Sequence, residues 1–203
     1  HRPGGCAATA APVSCAAALA TIDLLENGLI DNAALLGARW LLDLGAGQAD
    51  QRASYVAVMR QVAPYAQQAG IGLSLKPHGG ITLTTAGLIA LHREVDHPAF
   101  GISYDPGNMI YYTKGEERPK MHVAEVAPLV TTFIVKDCAL YKGQPDVLVT
   151  PGQGLVDFPA VLSALVEGGF SGPLYLECVG GETLDEIDAN VRRTLPYLRA
   201  MLA

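Results

Sequence analysis

Cysteine is scarce in this chain, with four in 203 residues. Cys6, Cys15, Cys138 and Cys178 show no CxxC spacing, and four are too few to act as a disulfide framework at this length. They read as small, semi-buried free thiols, which suits a reducing compartment and a cytoplasmic location. Positive charge is also sparse. Fourteen Lys and Arg stand against twenty Asp and Glu, for a formal net charge of −6, and the basic residues are scattered, with Arg192-Arg193 the longest run. A nucleic-acid partner needs a basic face, so that class is set aside. No apolar run approaches the ~20 residues of a membrane span. The Ala-rich N-terminal stretch lacks the compact apolar core of a signal peptide. A membrane partner is therefore not expected either. P-loop, GxSxG and His-rich zincin motifs are absent, and Gly152-Gln153-Gly154 is too little for a dinucleotide fingerprint.

What remains is a chain that is half hydrophobic and only 17% charged, long enough for one domain with a sizeable core. Residues 1–15 read as an irregular segment. A helix is expected over Ala16–Leu36, with Leu25, Leu29, Ala33 and Leu36 near helical spacing and Gly37 as its stop. A strand follows over Ala38–Gly45. Asp50 is expected to cap the next helix, whose stripe is Tyr55, Val56, Met59 and Val62, with a kink or restart at Pro64 and an end at Gly70. Further strands are predicted at Ile71–Lys76, Phe100–Tyr104, Thr131–Lys136 and Leu174–Glu177. Helices are predicted from Thr84 or Thr85 to Val95, and over Val123–Val130, Phe158–Glu167 and Leu184–Leu202. The closing helix carries Ile187, Val191, Leu195 and Leu198 on one face. Tyr111–Lys120 reads as a polar surface excursion, and Asp137–Gly154 as a long loop with room for a hairpin. No two of the five strands are joined by a tight hairpin, so the alternation argues for parallel βαβ units. Five units allow a doubly wound sheet or part of a (β/α)₈ barrel, and in both the ligand sits at the carboxyl ends of the strands.

The strand ends are where the ionisable residues gather. Side chains alternate across a strand, so Gly72, Ser74, Lys76 and His78 share a face, as do Gly101, Ser103 and Asp105, then Thr132, Ile134 and Lys136, then Tyr175 and Glu177. Leu41 and Asp43 are assigned to the same inner side, with Trp40, Leu42 and Leu44 turned toward the helices. Small residues below and charges above describe the mouth of a site for a polar small molecule, since burying so many charges without a partner is costly. Glu177 is the strongest single candidate. Asp43 reads as a structural cap or loop partner.

In this order and spacing, ISYDPGNM (102–109), FIVKDC (133–138), TPGQGLVDFPAVLSAL (150–165) and GFSGPLYLEC (169–178) resemble the xylose isomerase-like TIM-barrel superfamily of sugar phosphate isomerases and epimerases. The similarity runs from about Leu24 to the C-terminus. It implies an α/β fold of (β/α)₈ TIM-barrel type that is incomplete: a single partial domain over 1–203, whose strands are the last five, with about three units missing ahead of His1. Five strands cannot close that barrel, and an open edge invites a homo-oligomer. The family's metal set is a Glu, an Asp, a His and a Glu. The Asp falls on Asp105 and the last Glu on Glu177, while Lys76 stands at the first Glu and Ile134 at the His. Two routes stay open. His78 restores a ligand, giving His78, Asp105 and Glu177 as a set for Mn, Mg or Zn; or Lys76 replaces the metal and stabilises an oxyanion itself.

The resemblance implies an enzyme acting on a sugar or polyol by proton abstraction next to a carbonyl. Glu177 would be the base, Lys76 and His78 would polarise the carbonyl or shuttle the proton, and Asn108 and Lys136 would hold the substrate. A non-catalytic sugar-binding or structural remnant of the fold is the alternative, favoured by Lys76 and Ile134. A lyase or hydrolase on a modified glycoside is a third, because a fold does not by itself set its chemistry.

Overall fold

The computed structural model describes residues 28–202. The expected segment 1–15 and the part of the first helix ahead of Gly28 lie outside the described residues. Helix α1 spans Leu29–Leu35, with Gly28 at its N-cap in the left-handed region, and it buries Ile30 and Ala33 while Leu29 and Leu36 face solvent. Of the expected stripe's described members, Ala33 is buried, whereas Leu29 and Leu36 are exposed and Ile30 takes the buried place instead.

Strand β1 is Trp40–Asp43, followed by α2 over Arg52–Gln68, β2 over Gly72–Leu75, α3 over Thr85–Val95 and β3 over Phe100–Tyr104. Then come α4 over Pro106–Thr113, α5 over Pro119–Val126 and β4 over Val130–Val135. A hairpin of β5 (Ala139–Tyr141) and β6 (Gln144–Asp146) precedes α6 over Phe158–Glu167, β7 over Leu174–Leu176 and α7 over Leu184–Leu202. Among the described residues, five strands form one parallel sheet in the order β1-β2-β3-β4-β7, and β5-β6 stand apart as an antiparallel pair. The sheet curls into a half-barrel, so the architecture is an incomplete TIM barrel. Among the described residues, the inner face is open at its two edges, where Leu42 on β1 and Tyr175 on β7 are 52% and 47% exposed.

The helices cover the outer face. Leu73, Leu75, Ile102, Tyr104, Phe133 and Val135 point outward into one apolar cluster with Val62, Leu88, Leu91, Val123, Leu162 and Leu165. Thr84 caps α3 by accepting the N–H of Gly87, and Asp157 caps α6 by accepting that of Ala160. Four local expectations are corrected. The cap ahead of α2 is a Gln48–Gln51 capping box on a short 3₁₀ turn, not Asp50, and α2 runs through Pro64 without a break. Its buried face, Val62, Ala63 and Ala66, stays packed, and that packing outweighs the hydrogen bond Pro64 cannot make. The polar stretch after β3 is helical on both sides of a short turn: Asp105 caps α4 and Pro106 opens it, while Pro119 opens α5. On α7, Thr194 and Leu198 are buried, Ile187 and Val191 are half-buried and Leu195 is exposed, so Thr194 takes the place expected of Leu195.

The loop after β4 is tied down by a single carboxylate. Asp137 is fully buried and accepts four backbone N–H groups: Cys138 at 2.8 Å, Gly152 at 2.9 Å, Gly154 at 2.8 Å and Val156 at 3.0 Å. Gly154 passes so close to that carboxylate that no side chain fits there. Replacing Asp137 by Ala leaves these donors without their acceptor, so the unfolding free energy should fall by about 3 kcal/mol or more, measured by urea denaturation.

Candidate active site

The inner face carries small hydroxyls first and charges above them. Ser74 Oγ lies 3.0 Å from Thr132 Oγ1 and 2.7 Å from Thr131 Oγ1, and Ser103 Oγ is buried beside them without a hydrogen-bond partner among the described residues. One residue beyond the strands, the parity brings four ionisable groups together. Lys76 Nζ donates to Glu177 Oε2 at 2.6 Å and lies 3.3 Å from Asp105 Oδ2. Lys136 Nζ donates to Glu177 Oε1 at 2.8 Å and to Asn108 Oδ1 at 3.0 Å, and lies 3.4 Å from Asp105 Oδ2. The two ammonium groups thus bridge two carboxylates. Lys76 and Lys136 side chains are 4% exposed and Asp105 is fully buried, whereas Glu177 is 40% exposed and forms the open side.

Local chemistry positions each member. Asp105 directly follows β3 and turns its Oδ1 to the N–H of Asn108 at 2.8 Å, acting as the α4 cap while its Oδ2 faces the lysines. Asn108 then spans the site: its Nδ2 donates to the Pro77 carbonyl at 2.8 Å, and its Oδ1 receives Lys136. Gly107 lies under Lys136, where a Cβ would come within 2.5 Å of the Lys136 carbonyl oxygen and 2.8 Å of its Cγ, so the closeness of α4 to β4 depends on that glycine.

Burial acts most strongly on Asp105 and raises its pKa, although Lys136 and Lys76 pull it back. Burial also opposes ionisation of Glu177, but the hydrogen bonds from Lys136 and Lys76 outweigh it and bring that pKa below the ordinary value. Lys136 shows the reciprocal effect: burial lowers its pKa, and Asp105 and Glu177 more than reverse this. Glu177 at rest is therefore an ionised, doubly ion-paired carboxylate.

The sequence-predicted residues separate into two groups. Lys76, Asp105, Asn108, Lys136 and Glu177 meet. His78 is displaced to the exposed rim: its backbone N–H donates to Thr82 Oγ1 at 2.9 Å, and its Nε2 lies 3.1 Å from the Tyr112 hydroxyl. Tyr112 lies on α4, in a stretch whose polarity suggests a surface excursion; the Asp-Pro pair at 105–106 is the sequence signal for the helix that carries it. The inner-face assignment of β1 is also corrected. Leu41 and Asp43 stand in register with Leu73 and Leu75, which face the helices, so Asp43 points outward. There it accepts from the buried Tyr55 hydroxyl and from the N–H of Gly45 at 3.2 Å, a structural role. Cys138 is buried, which pushes its thiol up to about 11.

The geometry defines a polar site at the carboxyl ends of parallel strands in an open βα barrel. Over residues 20–201 the chain matches the family model described as xylose isomerase-like TIM barrel, and it belongs to that family. No curated protein matches it in sequence. Similar solved structures include a xylose isomerase domain protein from Planctomyces limnophilus, at TM-score 0.74 and 21% identity over 91% of this chain and 66% of that one. Another is a xylose isomerase-like TIM barrel protein from Mycobacterium smegmatis in complex with magnesium, at TM-score 0.71 and 23% identity over 90% of this chain and 71% of that one. A third is D-allulose 3-epimerase from Methylomonas sp., at TM-score 0.70 and 21% identity over 93% of this chain and 73% of that one. The chain thus spans 66–73% of the length of these structures.

The magnesium in one of these structures raises the question of whether the residues here suit such an ion. They do not. Among the described residues no three His, Cys, Asp or Glu side chains gather as a metal-holding group. The set His78, Asp105 and Glu177 is not assembled, because His78 turns to Tyr112 and the carboxylates are occupied by the lysines. Ile134, the inner-face residue next below Lys136, is buried and offers no donor. A dication ~4 Å from one ammonium would be opposed by about 8 kcal/mol at an effective dielectric of ~20.

The ion pairing can be read directly. Because its pKa is lowered on folding, Glu177 contributes stability above its unfolded-state pKa, and that contribution is lost as pH falls through its lower folded value. Carboxyl ¹³C NMR should place the Glu177 midpoint below that of an ordinary glutamate, and Lys136→Met should move it upward.

Proposed function

We propose that this chain acts on a small sugar or polyol as an isomerase or epimerase, by proton abstraction next to a carbonyl. The observation that carries this reading is the buried Lys76–Lys136–Asp105–Asn108–Glu177 cluster, with Glu177 on its open side, at the catalytic end of a family fold that includes sugar epimerases. The Methylomonas epimerase, solved in complex with D-allulose, shows the substrate chemistry of one such relative.

The resting ion pairs set the order of events. A substrate carbonyl or hydroxyl oxygen entering the site competes with Glu177 for the ammonium N–H groups. As those hydrogen bonds pass to the substrate, the influence that lowers the Glu177 pKa is withdrawn and its basicity rises. Glu177 then takes the proton from the carbon beside the carbonyl, and the C–H electron pair moves into the carbonyl to give an enediolate. Its oxyanion is held by the buried Lys76 ammonium. Return of the proton from Glu177 to the neighbouring carbon, with the enediolate's hydroxyl proton passing to the oxyanion, isomerises the substrate; delivery of a solvent proton to the original carbon from the opposite face, with the Glu177 proton released to solvent, epimerises it. Asn108 and Lys136 position hydroxyls, and the His78–Tyr112 pair at the rim serves as the proton exit.

A second reading, binding without catalysis, is favoured by one observation: Glu177 at rest is doubly ion-paired and weakly basic. Incubating the protein with ketoses and aldoses in D₂O decides between them. Deuterium should enter at the carbon beside the carbonyl, and Glu177→Gln should reduce exchange by about 10²-fold or more. Exchange that survives that substitution removes Glu177 as the base. Polyols that raise the melting temperature without any exchange support the binding reading.

A further inference from the structure

We propose that the ammonium groups of Lys76 and Lys136 stand in for a divalent cation, so that this site binds its oxygen-rich ligand through two fixed positive charges and holds no metal. The inference deepens the reading above, because it names the electrophile of that site, but its own basis is geometric.

A carboxylate can hold a cation only with lone pairs that face it. Here Glu177 Oε2 is taken by Lys76 at 2.6 Å and Glu177 Oε1 by Lys136 at 2.8 Å. Asp105 Oδ1 is taken by the Asn108 N–H at 2.8 Å. Asp105 Oδ2 faces both ammonium groups, at 3.3 and 3.4 Å, without a well-directed hydrogen bond from either. Two carboxylates and two ammonium groups sum to zero charge, so the cluster is neutralised without any ion from solution. A divalent ion would have to enter between two buried cations and displace both from their acceptors.

The arrangement also supplies what a cation would offer a substrate. Lys136 Nζ donates to Asn108 and Glu177, with Asp105 Oδ2 3.4 Å away on its remaining side. Lys76 Nζ makes a single hydrogen bond among the described residues, to Glu177, so it has more free N–H capacity than Lys136 to turn toward a ligand oxygen. The ligand class is therefore one presenting a carbonyl or hydroxyl oxygen that gains negative charge. Lys76 sits at the centre of the electrostatics, and Lys136 holds Glu177 and Asn108 in place.

The test is metal binding by the whole purified chain, read without any assay of turnover. Wild-type protein titrated calorimetrically with Mn²⁺ and Zn²⁺ should take up no equivalent at this site, and EDTA or Mn²⁺ should leave its melting temperature unchanged. Lys76→Glu removes one ammonium and adds a carboxylate beside Asp105 and Glu177. Mn²⁺ affinity should rise by about tenfold or more, and Mn²⁺ should then raise the melting temperature. One equivalent of metal in wild-type protein, lost in Asp105→Asn, overturns the proposal. Uptake that Asp105→Asn leaves intact lies elsewhere and supports it. The wild-type titration decides the question even if Lys76→Glu does not fold, with Lys76→Met as the second variant in which Mn²⁺ should bind more tightly than in wild type. Metal uptake by wild type would leave the sugar reading standing, whereas absence of deuterium exchange would remove the catalytic reading and leave this one intact.

Discussion

Everything at the carboxyl end of the sheet depends on two buried ammonium groups shared by two carboxylates. Lys76 and Lys136 approach from strands on either side of β3, Asp105 sits beneath them, and Glu177 closes the ring from β7. Desolvating four charges is expensive, and a paired network recovers that cost only when its geometry is well made. The surrounding structure makes it so. Asp105 is held by its capping bond, Asn108 by the Pro77 carbonyl, and Lys136 by the close passage of Gly107. Removing either lysine would leave a buried carboxylate uncompensated, which links the integrity of the site to the packing of α4 on β4.

Support extends outward from that ring in two directions. Behind Lys136, Asp137 turns to the opposite face and gathers the loop that follows the hairpin onto four backbone N–H groups. Adjacent residues just past the end of β4 thus have opposite tasks, Lys136 toward the ligand and Asp137 toward the scaffold. At the rim, His78 and Tyr112 form a polar pair beside the entrance rather than at its centre. A site built this way is rigid below and open above, as ligand exchange requires.

Much of this was legible along the chain. A helix opened by Thr84 or Thr85, the bounds of α6 and α7, and the inner face of Ser74, Ser103, Thr132 and Glu177 follow from local rules: capping chemistry, glycine stops and the two-residue period of a strand. The misreadings have equally local causes. Sending bulky residues toward the helices inverted β1, because an edge strand with an uncovered inner face can turn Trp40 and Leu42 to that side. Polar residues around Tyr111–Lys120 obscured a helix that Asp105-Pro106 announces. His78 shares the parity of Lys76, but parity ends with the strand at Leu75, and the loop beyond it carries the imidazole outward.

By itself the sequence determined the alternation of strands and helices, the small-residue inner face and the set of charges at the strand ends, because each of these is written in neighbours a few residues apart. Only the tertiary structure decided which lysine meets which carboxylate. Lys76 and Glu177 are 101 residues apart, and their contact exists because β2, β3, β4 and β7 pair in parallel register and curl. Local patterns specify which face a side chain takes; pairing between distant strands specifies what it faces. That second step turned a list of candidate ligands into a closed ring of ion pairs.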